Sequence, residues 1–490
     1  MSRVGPRAVL VGSLAAGVYL LVAGGFLWRF DKSPHDHHIL IADAFLHGQT
    51  WVRPEMIEGR RERVATIVRE PLLQMAQSSG QALSDADREA WIGSVVRQIT
   101  DLDWTIVDGR YYGYWGPLLP AATTPVVALA GSGVSDRGLT AIIGALNVAL
   151  MYWMFRRADR AGLVRVGPSA AMAITILFAF GTVHFYMSCA GTVWFATQQI
   201  ALTAFLGALV AAFAPNERPS TWLASGACFA LATLGRGILV LALPFFVALF
   251  LLRRPRDSGS TLRPTLVRAA LFCAPLAMAG GIQAAYNVVR FGEIGETGYR
   301  LAMETAIDDT LRERFARYGT FDVRCIPRNV WHYFLSWNLP KQTDGRIGFD
   351  ENGNSMFLVT PPLVYTLLAW RTRARMTGVL LAGLALPMAA LLCLYFTGFR
   401  QFGNRFLLEF LPLLLLLVAI GMRGRVTLAA YALGVAAIVA NLFGVYRYCD
   451  EQCRPIQPFV GPLIVPLLIG LAIGGGFFLR AGFRRDTDVS

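Results

Sequence analysis

Apolar runs long enough to cross a bilayer, roughly 17–25 residues each, recur along most of the chain and alternate with short polar segments. They fall near residues 8–29, 138–155, 169–188, 196–214, 221–235, 237–252, 269–289, 357–370, 377–396, 406–422, 426–446 and 459–479, about twelve in all. The pattern predicts an all-α polytopic membrane protein with interfacial helices in a large first loop. The first run ends on bulky residues with no small-x-small cleavage site after it, so it reads as a retained span rather than a signal peptide. One further apolar segment, Pro117 to Gly131, carries Pro117, Pro120 and Pro125. Proline removes helix hydrogen bonds, and this segment reads as a helix lying in the outer interface or re-entering it, with its backbone covered by protein.

Two stretches between the runs are long, residues 30–137 and 290–356. Within the first, "RRERVATIVREPLLQMAQSSGQALSDADREAWIGSVVRQI" repeats apolar residues at helical spacing opposite a charged face, which predicts helices lying on the membrane or on the protein. Ser84 with Asp87 has the spacing of a helix N-cap. No internal repeat or low-complexity linker separates a soluble domain, so residues 1–490 read as one integrated membrane domain.

Composition agrees and adds an orientation. The chain is 55% hydrophobic and 16% charged, against about a quarter charged in soluble proteins. The net charge of +13 (45 basic, 32 acidic residues) is concentrated between runs, as in Arg156, Arg157, Arg160 and Arg165, or Arg371, Arg373 and Arg375. Short basic loops stay cytoplasmic, which puts both termini inside and both long loops outside. No basic groove with interleaved aromatics is present, so nucleic acid is not an expected partner. Of the seven cysteines, Cys449 and Cys453 in "CDEQC" have the spacing to close a small disulfide outside.

The candidate chemistry collects on that outer side. All six histidines and many tryptophans fall there, beginning with "SPHDHHILIADAFLHGQTWV", Ser33 to Val52. Asp36 stands at a helix start, where a carboxylate either caps free N–H groups or points into a site; Asp43 and His47 follow on the same helical face. His35, Asp36, His37 and His47 are metal-ligand types, but H-D-H-H sets neighbours on different faces, so no cofactor is expected and a divalent metal ion rests on residue type alone. Further on, "VDGRYYGYWGP" reads as an Asp-Gly turn that returns a second acid, Asp108, to the outer surface, followed by Tyr111 and Tyr112 as sugar-stacking or interfacial residues. Arg236, Arg400 and Arg405 lie beside apolar residues on the same side. Arginine there is costly without an anionic partner, and its fork matches phosphate oxygens.

"SPHDHHILIADAFLHGQ", "DGRYYGYWGPLLPAATTPVVALAG", "YNVVRFGEIGETGY" and "FGNRFLLEFLP", in this order, resemble the bacterial membrane glycosyltransferases of the GT-C superfamily. The likeness is with the family-39-like group that includes protein mannosyltransferases and the lipid A aminoarabinose transferase. The resemblance implies a sugar donor carried on polyprenyl phosphate, transferred at the outer (periplasmic) face of a bacterial inner membrane to a hydroxyl on a lipid, glycan or protein. It also implies an acid in the first outer loop as base, which maps to Asp36; the family's Asp-Glu pair is replaced here by Asp36 and His37. Arg236, Arg405 and Arg400 are then candidates for the donor phosphate, with His35, His37, Tyr111, Tyr112, Glu293 and Glu296 lining the cavity and Asp36 or Asp108 taking the acceptor proton. Inversion at the anomeric carbon is the expected outcome. A lipid or glycolipid flippase would favour charges at mid-bilayer and repeated halves, neither of which is evident; an O-antigen polymerase or ligase shares the many spans and large outer loop.

Overall fold

The computed structural model describes residues 4–24, 31–78, 84–216, 218–253, 262–338, 350–372, 374–399 and 401–452. Arg400, the apolar run 459–479 and the side chains of Cys449 and Cys453 lie outside the described residues.

The chain is mostly helical. It opens with α1 (Val4–Gly24), continues through α2 (His37–Leu46), α3 (Pro54–Ser78) and α4 (Asp85–Asp101), and makes a short hairpin of β1 (Thr105–Val107) and β2 (Arg110–Tyr112) before α5 (Leu118–Ala130). The bundle proper follows: α6 (Asp136–Arg160), α7 (Pro168–Phe180), α8 (His184–Ala190), α9 (Val193–Ala212), α10 (Pro219–Gly235), α11 (Leu243–Leu252) and α12 (Leu262–Phe291). The second long loop holds α13 (Tyr299–Glu304), α14 (Asp309–Tyr318), α15 (Ile326–Val330) and β3 (Asn352–Asn354). The remainder is α16 (Met356–Val359), α17 (Arg375–Cys393), β4 (Gln401–Gly403), α18 (Leu411–Gly421) and α19 (Leu428–Gln452).

Among the described residues six helices are long and apolar enough to cross a membrane, and the α7–α8 pair, bent by 49°, makes up to seven. The other predicted runs within the described residues form helices that are shorter or partly 3₁₀. Residues 237–242 and 405–410 are 3₁₀ turns leading into α11 and α18, and residues 361–372 are 3₁₀. Pro244, Pro361, Pro362 and Pro412 stand at the starts of these pieces, where a missing N–H costs least. The proline-containing segment forms α5, 13 residues long and too short to cross; it packs mainly on α2. The amphipathic stretch of the first loop forms the α3–α4 hairpin, closed by Val64, Ile92 and Val96, and Ser84 caps α4 by accepting from the Asp87 N–H at 3.2 Å.

A large apolar cluster joins α1, α6–α12 and α16–α19. One buried polar set inside it pairs internally, as hydrocarbon favours: Asn147 donates to Gln199 Oε1 at 2.8 Å, and Gln199 donates to Ser188 Oγ at 2.9 Å. Both long loops gather at one end of the bundle, here termed the loop face. The chain leaving α1 is tied there to α6, since the Ser33 N–H and hydroxyl donate to the two oxygens of buried Asp136 at 2.8 and 2.5 Å. The Val193 N–H donates to the His35 carbonyl at 3.0 Å, which pins the same segment to the start of α9.

Candidate functional site at the loop face

Asp36 occupies the N-cap position of α2 yet makes no side-chain capping bond. Its carboxylate instead turns to cations. Arg63 Nη2 lies 2.8 Å away, Lys32 Nζ 3.3 Å and Arg60 Nε 3.7 Å. Asp36 and Arg60 are both fully buried. Arg60 also donates to the Pro34 carbonyl at 2.8 Å and the Thr100 carbonyl at 3.0 Å, and its guanidinium stands 5.7 Å over Trp104. One guanidinium thus clamps the start of α2 to α3 and α4. Burial by itself would raise the Asp36 carboxyl; Arg63, Arg60 and Lys32 together outweigh it and hold it below the ordinary aspartate value of 3.8.

The adjoining histidines form a ring wall. His35 packs 4.5 Å from Trp194, and His37 packs 4.5 Å from Trp104 and edge-on to Trp115 at 5.1 Å. Burial, then the charge of Arg60, push the His37 imidazole well below its ordinary value, so it is neutral, and Nε2 sits 3.0 Å from the Leu102 carbonyl. Asp43 pairs with Arg53 at 2.8 Å and His47 is exposed; neither joins Asp36. Among the described residues no group of three His, Cys, Asp or Glu is arranged to hold a metal ion.

A second carboxylate, which the sequence pattern did not single out, faces the bundle from the end of α4. Asp103 has φ +63°, a left-handed backbone that aspartate tolerates better than most residues. Trp194 Nε1 donates to its Oδ2 at 2.7 Å and the Tyr114 hydroxyl donates to it as well. Burial raises its carboxyl above the ordinary value, and those hydrogen bonds with the charges of Arg405 and Arg60 offset only part of the rise. Tyr114 packs against Tyr299 at 5.3 Å, whose hydroxyl meets that of Tyr395 at 2.8 Å.

Arg405 acts on this acid directly, and Arg236 shares with both of them an electrostatic effect on the Tyr299 hydroxyl. Arg405 is 8% exposed and sits among Phe406, Phe195 and Trp194 at 5.3, 5.7 and 6.0 Å. Its backbone is set by β3 and β4, which pair in parallel, and by Gln401, whose Oε1 accepts from the Arg405 N–H at 3.1 Å. Arg236 leaves the end of α10 and shares the Phe406 ring at 5.5 Å. Its anionic partner is internal: Nε donates to Glu409 Oε1 at 3.0 Å, and Gln198 donates to both oxygens of the same carboxylate at 3.2 and 3.1 Å. Gly116 lets the β2–α5 segment touch the end of α10, since a Cβ there would run into the Leu234 carbonyl.

The remaining candidates stand apart from this cluster. Asp108 has φ +50° and lies at the exposed tip of the β1–β2 turn. Tyr111 accepts from Arg61 at 3.0 Å, and Tyr112 is buried against Phe291 at 5.4 Å. Glu296 accepts from the Gly298 N–H at 2.7 Å and from Arg300, while Glu293 is exposed. The fold therefore gathers Asp36, His35, His37, Arg236 and Arg405 at the loop face and adds Asp103, Tyr114, Trp194 and Tyr299. Asp103 stands in the "DLDW" that precedes the hairpin; an acid directly before Trp104 and shortly before the Asp-Gly turn was the available signal. The arrangement supplies a carboxylate with raised proton affinity, fixed cations, and flat aromatic walls. Comparison of the chain with family models, with curated proteins and with solved structures finds no match.

Proposed function

We propose that this protein is a membrane glycosyltransferase that moves a sugar from a polyprenyl-phosphate donor to a hydroxyl-bearing acceptor. The observation that carries the reading is the convergence of Asp103, Arg405 and Arg236 on Tyr299, among aromatic rings at one end of an apolar bundle. Arg405, with Arg236 beside it, neutralises the donor phosphate. The acceptor hydroxyl attacks the anomeric carbon, the bond from that carbon to the phosphate oxygen breaks, and polyprenyl phosphate leaves with the electron pair. Asp103 takes the acceptor proton, and a single displacement inverts the anomeric centre. Asp36 has the lower proton affinity of the two acids, and its part is to hold Arg60 and Arg63 in place.

The same reading gives the chain twelve spans, both termini in the cytoplasm and the loop face in the periplasm of a bacterial inner membrane. The short and 3₁₀ segments then serve as further spans beside the six or seven long helices. A lipid-linked donor explains why a polar site should open beside hydrocarbon.

The test is turnover of labelled polyprenyl-phosphate sugars by the purified chain, beside Asp103→Asn and Asp36→Asn. Loss of transfer in Asp103→Asn with the fold retained supports the assignment. Full activity in that variant would remove Asp103 as base, and no turnover of any such donor by the wild-type chain would sink the proposal as a whole.

A further inference from the structure

The second long loop holds an arginine cluster that takes no part in the site above. Arg314 and Arg317 of α14, Arg324 of the following turn and Arg328 of α15 surround a cavity of about 250 Å³, with Glu313, Tyr318 and Cys325 completing its lining. At about 30 Å³ per water this is the room of roughly eight waters, more than a bare phosphate needs.

The cations converge although little negative charge calls for them. Glu313 is exposed, and Asp322 is committed to Arg324, accepting from its Nε at 2.9 Å. Asp350 acts on Arg328 but spends Oδ1 on the Asn352 N–H at 2.9 Å. Arg314 donates to the Tyr395 carbonyl from Nε and Nη2 at 3.1 and 2.7 Å. Arg317 and Arg324 stack on Tyr318 at 5.3 and 5.1 Å. Arg328 donates one bond, Nη2 to Asn352 Oδ1 at 2.5 Å, while its Nη1 is buried with no hydrogen-bond partner. Burial and then the charge of Arg314 press the Arg328 guanidinium down to about 10, still charged at neutral pH. A buried guanidinium donor left without an acceptor is costly, and an anion in the cavity removes that cost.

We propose that this pocket is a phosphate-binding site, with Arg328 as its floor, Arg314 as its wall and Arg317 and Arg324 at its mouth. Several converging guanidinium forks exceed what the two oxygens of one carboxylate can accept and suit the non-ester oxygens of a phosphate. The spare volume admits the first atoms of whatever the phosphate esterifies. The site stands independently of the sugar-transfer reading.

The full-length chain in detergent, titrated with inorganic phosphate by calorimetry at constant ionic strength, is compared with Arg317→Gln and Arg328→Lys. Arg328→Lys keeps the charge and loses the fork; Arg317 is exposed, so its variant tests the site even if Arg328→Lys fails to fold. Saturable binding weakened about tenfold by either change supports the proposal. A second arm places the chain in phosphatidylcholine nanodiscs with or without phosphatidic acid. Competition of phosphatidic acid with phosphate in the wild-type chain, lost in the variants, assigns the site to a lipid phosphate; its absence, with phosphate binding intact, assigns it to a soluble phosphate. No saturable phosphate binding in either arm, or binding that Arg317→Gln leaves unchanged, overturns it.

Discussion

Asp36 and Asp103 stand at opposite ends of the α2–α4 segment, and Arg60 reaches the electrostatic field of both, yet their surroundings act in opposite senses. Asp36 is ringed by three cations within 2.8–3.7 Å, and its carboxyl is held down. Asp103 receives neutral donors from Trp194 and Tyr114, and its carboxyl is pushed up. The same residue type is an anion held by cations in one place and a carboxyl of raised proton affinity in the other. The difference lies in whether a cation approaches close enough to repay burial. An acid at a helix start inside a histidine-rich motif is the more conspicuous feature, but conspicuous charge and available charge are separate properties.

The strongest way to break this contrast is Asp103→Asn. Asparagine preserves the shape and the acceptor for Trp194, so folding is retained while transfer drops by about 10²–10⁴-fold, the usual share of a general base; steady-state turnover reads it directly. Asp36→Asn moves the opposite quantity. It leaves buried Arg60 without its anion, and thermal unfolding in detergent should report a loss of about 3 kcal/mol, with transfer by the remaining folded fraction less affected than in Asp103→Asn. If Asp36→Asn instead kept full stability and lost all transfer, the two roles would have to be exchanged.

Arg405→Gln comes next. Removing one charge-assisted contact to the donor phosphate costs about 2 kcal/mol, seen as a rise of more than tenfold in KM for the donor with a smaller change in kcat.

The pH profile separates the acids without mutation. In the proposed reaction Asp103 works ionised, and its carboxyl is raised, so activity is expected to fall on acidification at a pH above the ordinary aspartate value. Asp36 is depressed; the stability it contributes is complete above the ordinary value and is lost only as pH falls through the folded one. Activity therefore fails before the fold does, and coincident loss of both would contradict the assignment. The smallest effect is that of Asp108→Asn. Asp108 is exposed at a turn with positive φ, asparagine accepts that backbone, and both stability (within about 0.5 kcal/mol) and turnover should be unchanged.

Much of the architecture was legible as pattern. Helix-length apolar runs, the α3–α4 hairpin with its Ser84 cap, the Asp-Gly turn at Asp108 and the proline-laden α5 follow from local periodicity and backbone chemistry, which act over a few residues. Asp36 and the two bundle arginines were visible because charge beside hydrocarbon is rare. What those residues touch was not. Arg236 finds Glu409 across 173 positions, and Asp103 finds Trp194 across 91. Nor did the pattern show that a run such as 357–370 would wind as 3₁₀, since hydropathy measures burial and not helix type.

The sequence by itself determined that the chain is a mostly helical membrane protein with its ionisable chemistry crowded toward the two long loops, because solvent transfer and helix propensity are summed residue by residue. Only the tertiary structure decided which acid keeps its proton affinity, which arginine is already paired and which cation is left facing a cavity. Those outcomes depend on distances between groups far apart in the chain, and the interaction between charges depends on separation and burial, neither of which is written in the order of residues.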